Sequence, residues 1–239
     1  RYSAMAGFEL NREAAPQEPA GSRRLVSLDA LRGFDMLWII GGDAVFRTLG
    51  DACPVAPARF LANQFEHVRW EGFAFYDLIF PLFIFIIGIS LVFSLGRIVE
   101  REGMAGAHRR LFRRTVLLFA LGMIADGGFG RDWPEENLLC GVMQRLALAY
   151  FFGGLLFLHL RLRGLLIAFF AILIGYWALL TFVPVPDTGE TSFAPERNWA
   201  HYVDRLMPPY HDSDPEGYLS TTTAVASCLL GIFAGFALK

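Results

Sequence analysis

The side chain best suited to chemistry in this 239-residue chain is His67, and it stands at the mouth of a long apolar run. The stretch HVRWEGFAFYDLIFPLFIFIIGISLVFS, residues 67–94, opens polar with His67, Arg69 and Glu71. It then crosses Asp77 and carries no further charge until Arg97. Imidazole changes charge near pH ~6.5, so it can take a proton at physiological pH. It can also attack an activated acyl group directly. Two carboxylates are within sequence reach. Glu71 lies four residues on and shares a face with His67 if LANQFEHVRW is helical; there it would orient the ring and stabilise imidazolium, as the third group of a triad does. Asp77 opens the apolar run, where it reads equally as a helix cap or a dipole partner. A lone loop histidine is more often incidental than catalytic, so the elements around it have to decide.

Those elements are membrane helices. The chain is 54% hydrophobic with 23 Phe, and only 18% of its residues are charged, against roughly 25% in ordinary soluble domains. Runs of eighteen or more apolar residues are long enough for a bilayer core of about 30 Å. The expected class is all-α, a polytopic transmembrane bundle of six helices: Ser27–Leu49, Asp77–Leu95, Thr115–Ala125, Val142–Leu160, Gly164–Val183 and Ser220–Leu238. Pro81 falls in the first turn of the second, where a missing N–H is tolerated. The third is short and is expected to begin inside the basic segment before it. The sixth carries Gly231-Ile-Phe-Ala-Gly235, a small-xxx-small packing face. Residues 1–22 are polar, rich in Ala, Pro and Glu, and read as a disordered tail without a cleavable signal pattern; residues 23–239 form the membrane domain. The chain opens on Arg and stops at Lys239 directly after an apolar helix, so a piece of a longer bundle is expected.

Net charge is −2, which gives no case for nucleic acid. Cys53, Cys140 and Cys228 have no metal spacing, and no metal is expected; Cys53 and Cys140 fall in loops on one side, but neither spacing nor context demands a bridge. The positive charges set an orientation. Arg23 and Arg24, the segment 96–114 with Arg97, Arg101, Arg109, Arg110, Arg113 and Arg114, then Arg161, Arg163 and Lys239 all fall on one side if the helices alternate. The loops 50–72, 126–141 and 184–219 fall on the other and are acidic or mixed. Lys and Arg mark the cytoplasmic side, so the N-terminus is expected in the cytoplasm and His67 on the outer face. The 184–219 loop, the longest, is a candidate lid.

Two polar groups follow from this topology. Near the inner face lie Asp29 and Arg32, three apart and able to pair on one helix face, as Arg32 and Asp35 also are. Arg32 reads equally well as a snorkelling cation, and the six arginines as an anionic-lipid contact. Near the outer face lie Asp43, His67, Asp77, Gln144, Arg145, Asp214 and Glu216, drawn from four segments. Arg145 runs against the charge bias, which asks for a specific partner: Asp77, Asp43 or a substrate. A transporter lined by Asp29, Arg32, Asp77 and Arg145 is the alternative these residues permit; such folds often carry inverted repeats, and none is apparent.

Several stretches together resemble one family. Arg24-Leu-Val-Ser-Leu-Asp-Ala-Leu-Arg-Gly33, His67-Val-Arg-Trp-Glu-Gly72 running into Asp77-Leu-Ile-Phe-Pro-Leu-Phe-Ile-Phe-Ile-Ile-Gly88, Gly141-Val-Met-Gln-Arg145, Tyr202-Val-Asp-Arg-Leu206 and Asp214-Pro-Glu-Gly217 are similar, in order, to the heparan-α-glucosaminide N-acetyltransferase family. SLDALRG alone is less specific; the histidine block, GVMQR and DPEG in series are specific. The resemblance implies acetyl transfer from cytosolic acetyl-CoA to the amine of a glucosamine-type sugar on the far side. It implies that His67, first residue of the HxxWxG pattern, is catalytic, with Asp77 and Glu71 beside it. Asp29, Arg32, Arg113 and Arg114 would meet acetyl-CoA, while Asp43, Gln144, Arg145, Asp214 and Glu216 would orient His67 or bind the sugar. The family's functional asparagine after its first helix has no clear counterpart, since this region reads Gly41-Gly42-Asp43; Asp43 is the candidate replacement. Membrane lipids and a glycan acceptor are the implied partners, a homodimer is compatible, and a bacterial inner membrane is the implied location, with His67 periplasmic. Further helices beyond Lys239 are implied as well.

Overall fold

The computed structural model describes residues 26–53, 55–68, 70–125, 141–207 and 217–239. Among them every regular element is helical: α1 (Val26–Leu37), a π turn (Trp38–Gly42), α2 (Asp43–Ala52), α3 (Ala56–Gln64), a 3-10 turn (Phe75–Leu78), α4 (Ile79–Ala125), α5 (Val142–His159), α6 (Leu162–Phe182), α7 (Trp199–Leu206) and α8 (Thr221–Ala237). Three helical stretches, Phe75–Ala125, Val142–His159 and Leu162–Phe182, are long and apolar enough to cross a membrane, and Thr221–Ala237 is a shorter apolar helix. The molecule is an all-α membrane bundle. The N-terminal tail, the 126–140 loop with Cys140, and Asp214 and Glu216 lie outside the described residues.

Two expected boundaries are corrected. The first helix is not continuous from Ser27 to Leu49. It breaks at Gly41, whose φ of 122° is closed to residues with a Cβ, and the chain restarts at Asp43 as α2. The basic segment 96–114 is helical rather than a loop. It interrupts α4 only at Gly103, at φ 72° and ψ −174°, so that the second and third expected helices are two arms joined at one glycine. As expected, the third helix starts within the arginines.

Glycines set how the arms pack. A Cβ on Gly88 of α4 would overlap the Cys228 carbonyl oxygen of α8, and one on Gly231 would overlap the Phe85 carbonyl. The two backbones therefore touch at Gly88 and Gly231. On α5, Gly153 receives the Cys228 side chain and Gly154 receives Leu111 from the second arm of α4. Around these contacts Ile84, Leu91, Leu95, Leu111, Leu165, Leu229 and Ile232 are almost fully buried. The small-residue face expected from Gly231 and Gly235 is thus the α4–α8 seam, where close approach gains dispersion contacts that lipid cannot match. By contrast α6 buries only Leu165 and turns Ile167, Phe170, Ile174 and Trp177 outward.

The helices alternate in direction, and this separates the polar ends. Arg32 of α1 reaches Ser90 of α4. His108 meets His159, Nε2 to Nε2 at 2.9 Å, while Gly122 lies against Gln144, so the second arm of α4 runs antiparallel to α5. Lys239 comes back beside Gly96. The arginine-rich break at Gly103, the start of α6 and the end of α8 share one end of the bundle; His67, Asp77, Arg145 and Ser220 share the other.

Replacing Gly231 with Leu forces α8 off α4 and is expected to cost about 1–3 kcal/mol or more, a fall of roughly 5 °C in thermal midpoint. Gly175→Leu, on α6 with no atom within 4 Å of the added Cβ, is expected to stay within about 2 °C. Differential scanning fluorimetry in one detergent compares the two, and equal shifts would remove the seam from the account of the fold.

Candidate active site

The site is built on the junction between the loop that follows α3 and the start of α4. Helix α3 ends at Gln64, and the Gln64 side-chain oxygen accepts the Phe75 N–H at 3.2 Å, tying the two ends of the intervening loop together. Within that loop Gly72 has φ 134°, which a residue with a side chain resists. The 3-10 turn Phe75–Leu78 then leads into α4, and Asp77 closes it: its Oδ2 accepts the Ala74 N–H at 2.9 Å. Its other oxygen, Oδ1, lies 2.7 Å from His67 Nδ1. The cap and the histidine partner weighed for Asp77 are therefore both realised, one on each oxygen.

This pairing has a chemical consequence. A carboxylate only accepts hydrogen bonds, so toward Asp77 the donor is Nδ1, and Nε2 makes no hydrogen bond among the described residues. The imidazole is 69% exposed and Asp77 25% exposed, so the free nitrogen is accessible while the carboxylate that orients it is sheltered. The Tyr76 ring lies 4.9 Å from the imidazole, centroid to centroid. An oriented, accessible imidazole with one free nitrogen can act as base or nucleophile.

The other expected residues divide. Glu71 does not stand one helical turn from His67, because the helix expected over LANQFEHVRW stops at Gln64 and Glu71 is exposed in irregular chain; the carboxylate bonded to His67 is that of Asp77. Asp43 is buried and paired with Arg47 one turn on, and the charges of both act on Tyr76. Gln144 is fully buried between α5 and the second arm of α4, with Nε2 3.7 Å from the Met123 sulfur. Arg145 donates to the Ser220 carbonyl oxygen at 3.1 Å and stacks 5.1 Å over Phe80, linking α5, α8 and α4 just below the turn that holds Asp77.

Deeper in the bundle, half-way between Asp77 and the break at Gly103, Arg32 pairs with Asp29 at 3.2 Å, as the spacing predicts, and also donates to the Ser90 hydroxyl. Asp35, the other carboxylate spaced for Arg32, is turned inward and fully buried. Arg113 and Arg114 are exposed on the second arm of α4, and Arg114 lies 5.3 Å over Tyr150.

Sequence reasoning missed the strap. Trp70 Nε1 donates to the Phe193 carbonyl oxygen at 2.8 Å, and its ring lies 5.8 Å from His201 of α7. Asp204 of α7 in turn accepts the Tyr218 N–H at 2.7 Å. The 184–207 segment is thereby fastened to the histidine loop. An exposed loop tryptophan beside a candidate catalytic residue was the one signal in the sequence.

Comparison with known proteins bears on this geometry directly. The family model for the catalytic region of heparan-alpha-glucosaminide N-acetyltransferase matches residues 24–203, from α1 through most of α7, and includes both His67 and Asp77. The chain belongs to that family. Human heparan-alpha-glucosaminide N-acetyltransferase is 30% identical over 226 residues, which cover 72% of this chain and 34% of the human protein. The mouse protein of the same name is 26% identical over 224 residues, with the same coverage of each chain. The chain thus spans about a third of the length of these curated relatives. Within this acetyltransferase family match, the His67–Asp77 pair and the Trp70 strap lie inside the matched region, whereas α8, which closes the seam on α4, lies beyond it.

Trp70→Phe keeps an aromatic six-membered ring but removes the indole N–H to Phe193 together with part of the ring face toward His201. One hydrogen bond contributes about 0.5–1.5 kcal/mol, so trypsin cleavage at Arg197 is expected to quicken roughly 2- to 10-fold, read by timed digestion and gel densitometry. An unchanged rate would mean that the strap is not held there.

Proposed function

We propose that this chain forms the histidine-bearing part of a membrane acetyltransferase that moves an acetyl group from acetyl-CoA to the amine of a glucosamine-type sugar. The observation that carries the reading is the His67–Asp77 bond, made through Nδ1 of an exposed ring whose Nε2 has no hydrogen bond among the described residues, at one end of an apolar bundle. The family match and the names of the two curated relatives support the substrate class.

The chain's own residues suit the reaction in two places. At the His67 end, Asp77 holds the ring by Nδ1 and stabilises the positive charge that builds when Nε2 takes a proton or an acyl group. In one use of the lone pair, Nε2 takes the amine proton as the sugar nitrogen attacks the thioester carbonyl, the C–S bond breaks, and the departing CoA thiolate takes that proton from the imidazolium. In the other, Nε2 forms the bond to that carbonyl, the C–S bond breaks, and the acceptor amine then displaces the imidazole. Arg145, the Gly217–Ser220 turn and the 184–207 strap border this end and are the surfaces offered to a sugar, with Asp214 and Glu216 in the sequence next to them. Further along the bundle, toward its arginine-rich end, Arg32 with Asp29, together with Arg113 and Arg114, supply cations suited to the phosphates of CoA. The excess of Arg there supports a cytoplasmic assignment by the positive-inside bias, with His67 facing the periplasm or lumen; acetyl-CoA would then enter from within and the sugar from outside. A bacterial inner membrane and pairing of two copies are compatible with this arrangement.

The test uses the intact protein in sealed vesicles with radiolabelled acetyl-CoA and glucosamine. His67→Ala is expected to lower transfer about 10²–10⁴-fold. Asp77→Asn is expected to lower kcat on the order of 10²-fold with KM for glucosamine little changed, since it disturbs the tautomer and not the binding surfaces. Label trapped on wild-type protein without acceptor, and absent from His67→Ala, would identify the acyl-carrier route; no trapped label would identify the base. Undiminished transfer by His67→Ala would sink the proposal.

A further inference from the structure

Helix α1 is inside out. Asp35 is the one buried residue among its twelve, and it is fully buried, while Phe34, Met36 and Leu37 on neighbouring positions are exposed. Neither carboxyl oxygen of Asp35 has a hydrogen-bond partner among the described residues, and neither does the indole N–H of Trp38, one turn further along the same face. A partnerless polar group buried in an apolar bundle is costly, and two in succession on one face are hard to explain by packing.

Their position suggests what they meet. Arg32, one turn before Asp35, is bonded to Ser90 of α4, and Ser90 lies about 20 Å along the helix from Asp77 at ~1.5 Å per residue. Trp38, one turn after Asp35, packs 5.5 Å from Phe75 in the turn that carries Asp77. Asp35 and Trp38 thus lie in series between Arg32, at mid-depth, and the His67 end. They present first an acceptor and then a donor.

We propose that Asp35 and Trp38 form a binding station for the pantetheine arm of acetyl-CoA within the bundle. The arm carries two secondary amides in series, each with one N–H and one carbonyl. The Asp35 carboxyl accepts an amide N–H, and the Trp38 indole donates to an amide carbonyl. The station rests on the acetyltransferase reading and adds to it residues that position the co-substrate without touching the reacting atoms. It also accounts for a carboxyl facing inward on a helix whose apolar side chains face out.

The test combines variants and ligand. In the intact protein, Asp35→Leu is expected to raise KM for acetyl-CoA, and Kd for CoA, roughly tenfold or more, with KM for glucosamine unchanged. Asp35→Asn keeps an acceptor oxygen and is expected to stay within about threefold of wild type. An acetyl-CoA analogue with ester oxygens in place of both amide N–H groups is expected to bind wild type roughly tenfold more weakly than acetyl-CoA and to show no such deficit in Asp35→Leu. Trp38→Phe is expected to weaken CoA binding independently. If wild type transfers acetyl and binds the analogue as well as acetyl-CoA, the station is overturned and the acetyltransferase reading stands. The station also falls if Asp35→Asn loses CoA as fully as Asp35→Leu, because an acceptor oxygen is then not what matters. If wild type transfers no acetyl to glucosamine, the underlying reading falls and takes the station with it. Should Asp35→Leu fail to fold, the analogue on wild type and the Asp35→Asn variant still decide.

Discussion

The carboxylate of Asp77 is shared between the fold and the proposed catalytic histidine. One oxygen closes the turn that launches α4, and the other fixes the ring of His67. Because α4 is the helix that α1, α5 and α8 pack upon, the histidine is referenced to the central helix of the bundle although it sits in an exposed loop. A loop side chain usually samples several rotamers; this one is tied to the first turn of the central helix. The Gln64 bond to the Phe75 N–H and the Trp70 bond to Phe193 hold the two flanks of the same loop.

The bundle beneath follows from the weakness of hydrophobic association where the surroundings are also apolar. Close packing has to replace solvent exclusion, and the glycines at 88, 153, 154 and 231 let backbones and small groups approach where any Cβ would collide. That seam sets the depth of α8 against α4, and with it the position of Ser220, whose carbonyl receives Arg145. The polar end is therefore assembled from three helices whose relative heights are fixed by contacts deep in the apolar part.

Much of this was legible in the sequence, and the reasons are specific. The span from Asp77 shows as an uninterrupted apolar run, the six-arginine segment marks one end, and Gly231 with Gly235 marks a packing face. The pairing of Asp29 with Arg32 follows from helical spacing alone. What failed did so where local pattern is not decisive. The composition of LANQFEHVRW suits a helix, but the chain must leave the helix at Gln64 for His67 to meet Asp77, so the Glu71 geometry never forms. The stretch from Ser27 to Leu49 is apolar enough to hide the break at Gly41, although the Gly41–Gly42 pair was a visible warning. Contacts such as Trp70 with Phe193, across 123 residues, have no signature in spacing. The specific partner that Arg145 asks for cannot be named from spacing: among its contacts are the Ser220 carbonyl, 75 residues away, and the Phe80 face.

The orientation of α1 ties these points together. In a soluble protein a helix turns its apolar stripe inward, and that rule would place Phe34, Met36 and Leu37 in the core. In a membrane both sides of the stripe are apolar, so the rule loses its force and polar residues take the interior, where they meet one another or a ligand instead of lipid. Asp29, Arg32 and Asp35 lie at successive three-residue steps; the first two pair with each other, Arg32 also reaches Ser90, and only Asp35 is drawn fully inward. Once the bilayer is taken as solvent, the charges that make this segment unusual for a span become the reason it sits where it does. Such a helix is favoured where its polar side chains find polar company, as Arg32 does in Asp29 and in Ser90 across the seam between α1 and α4.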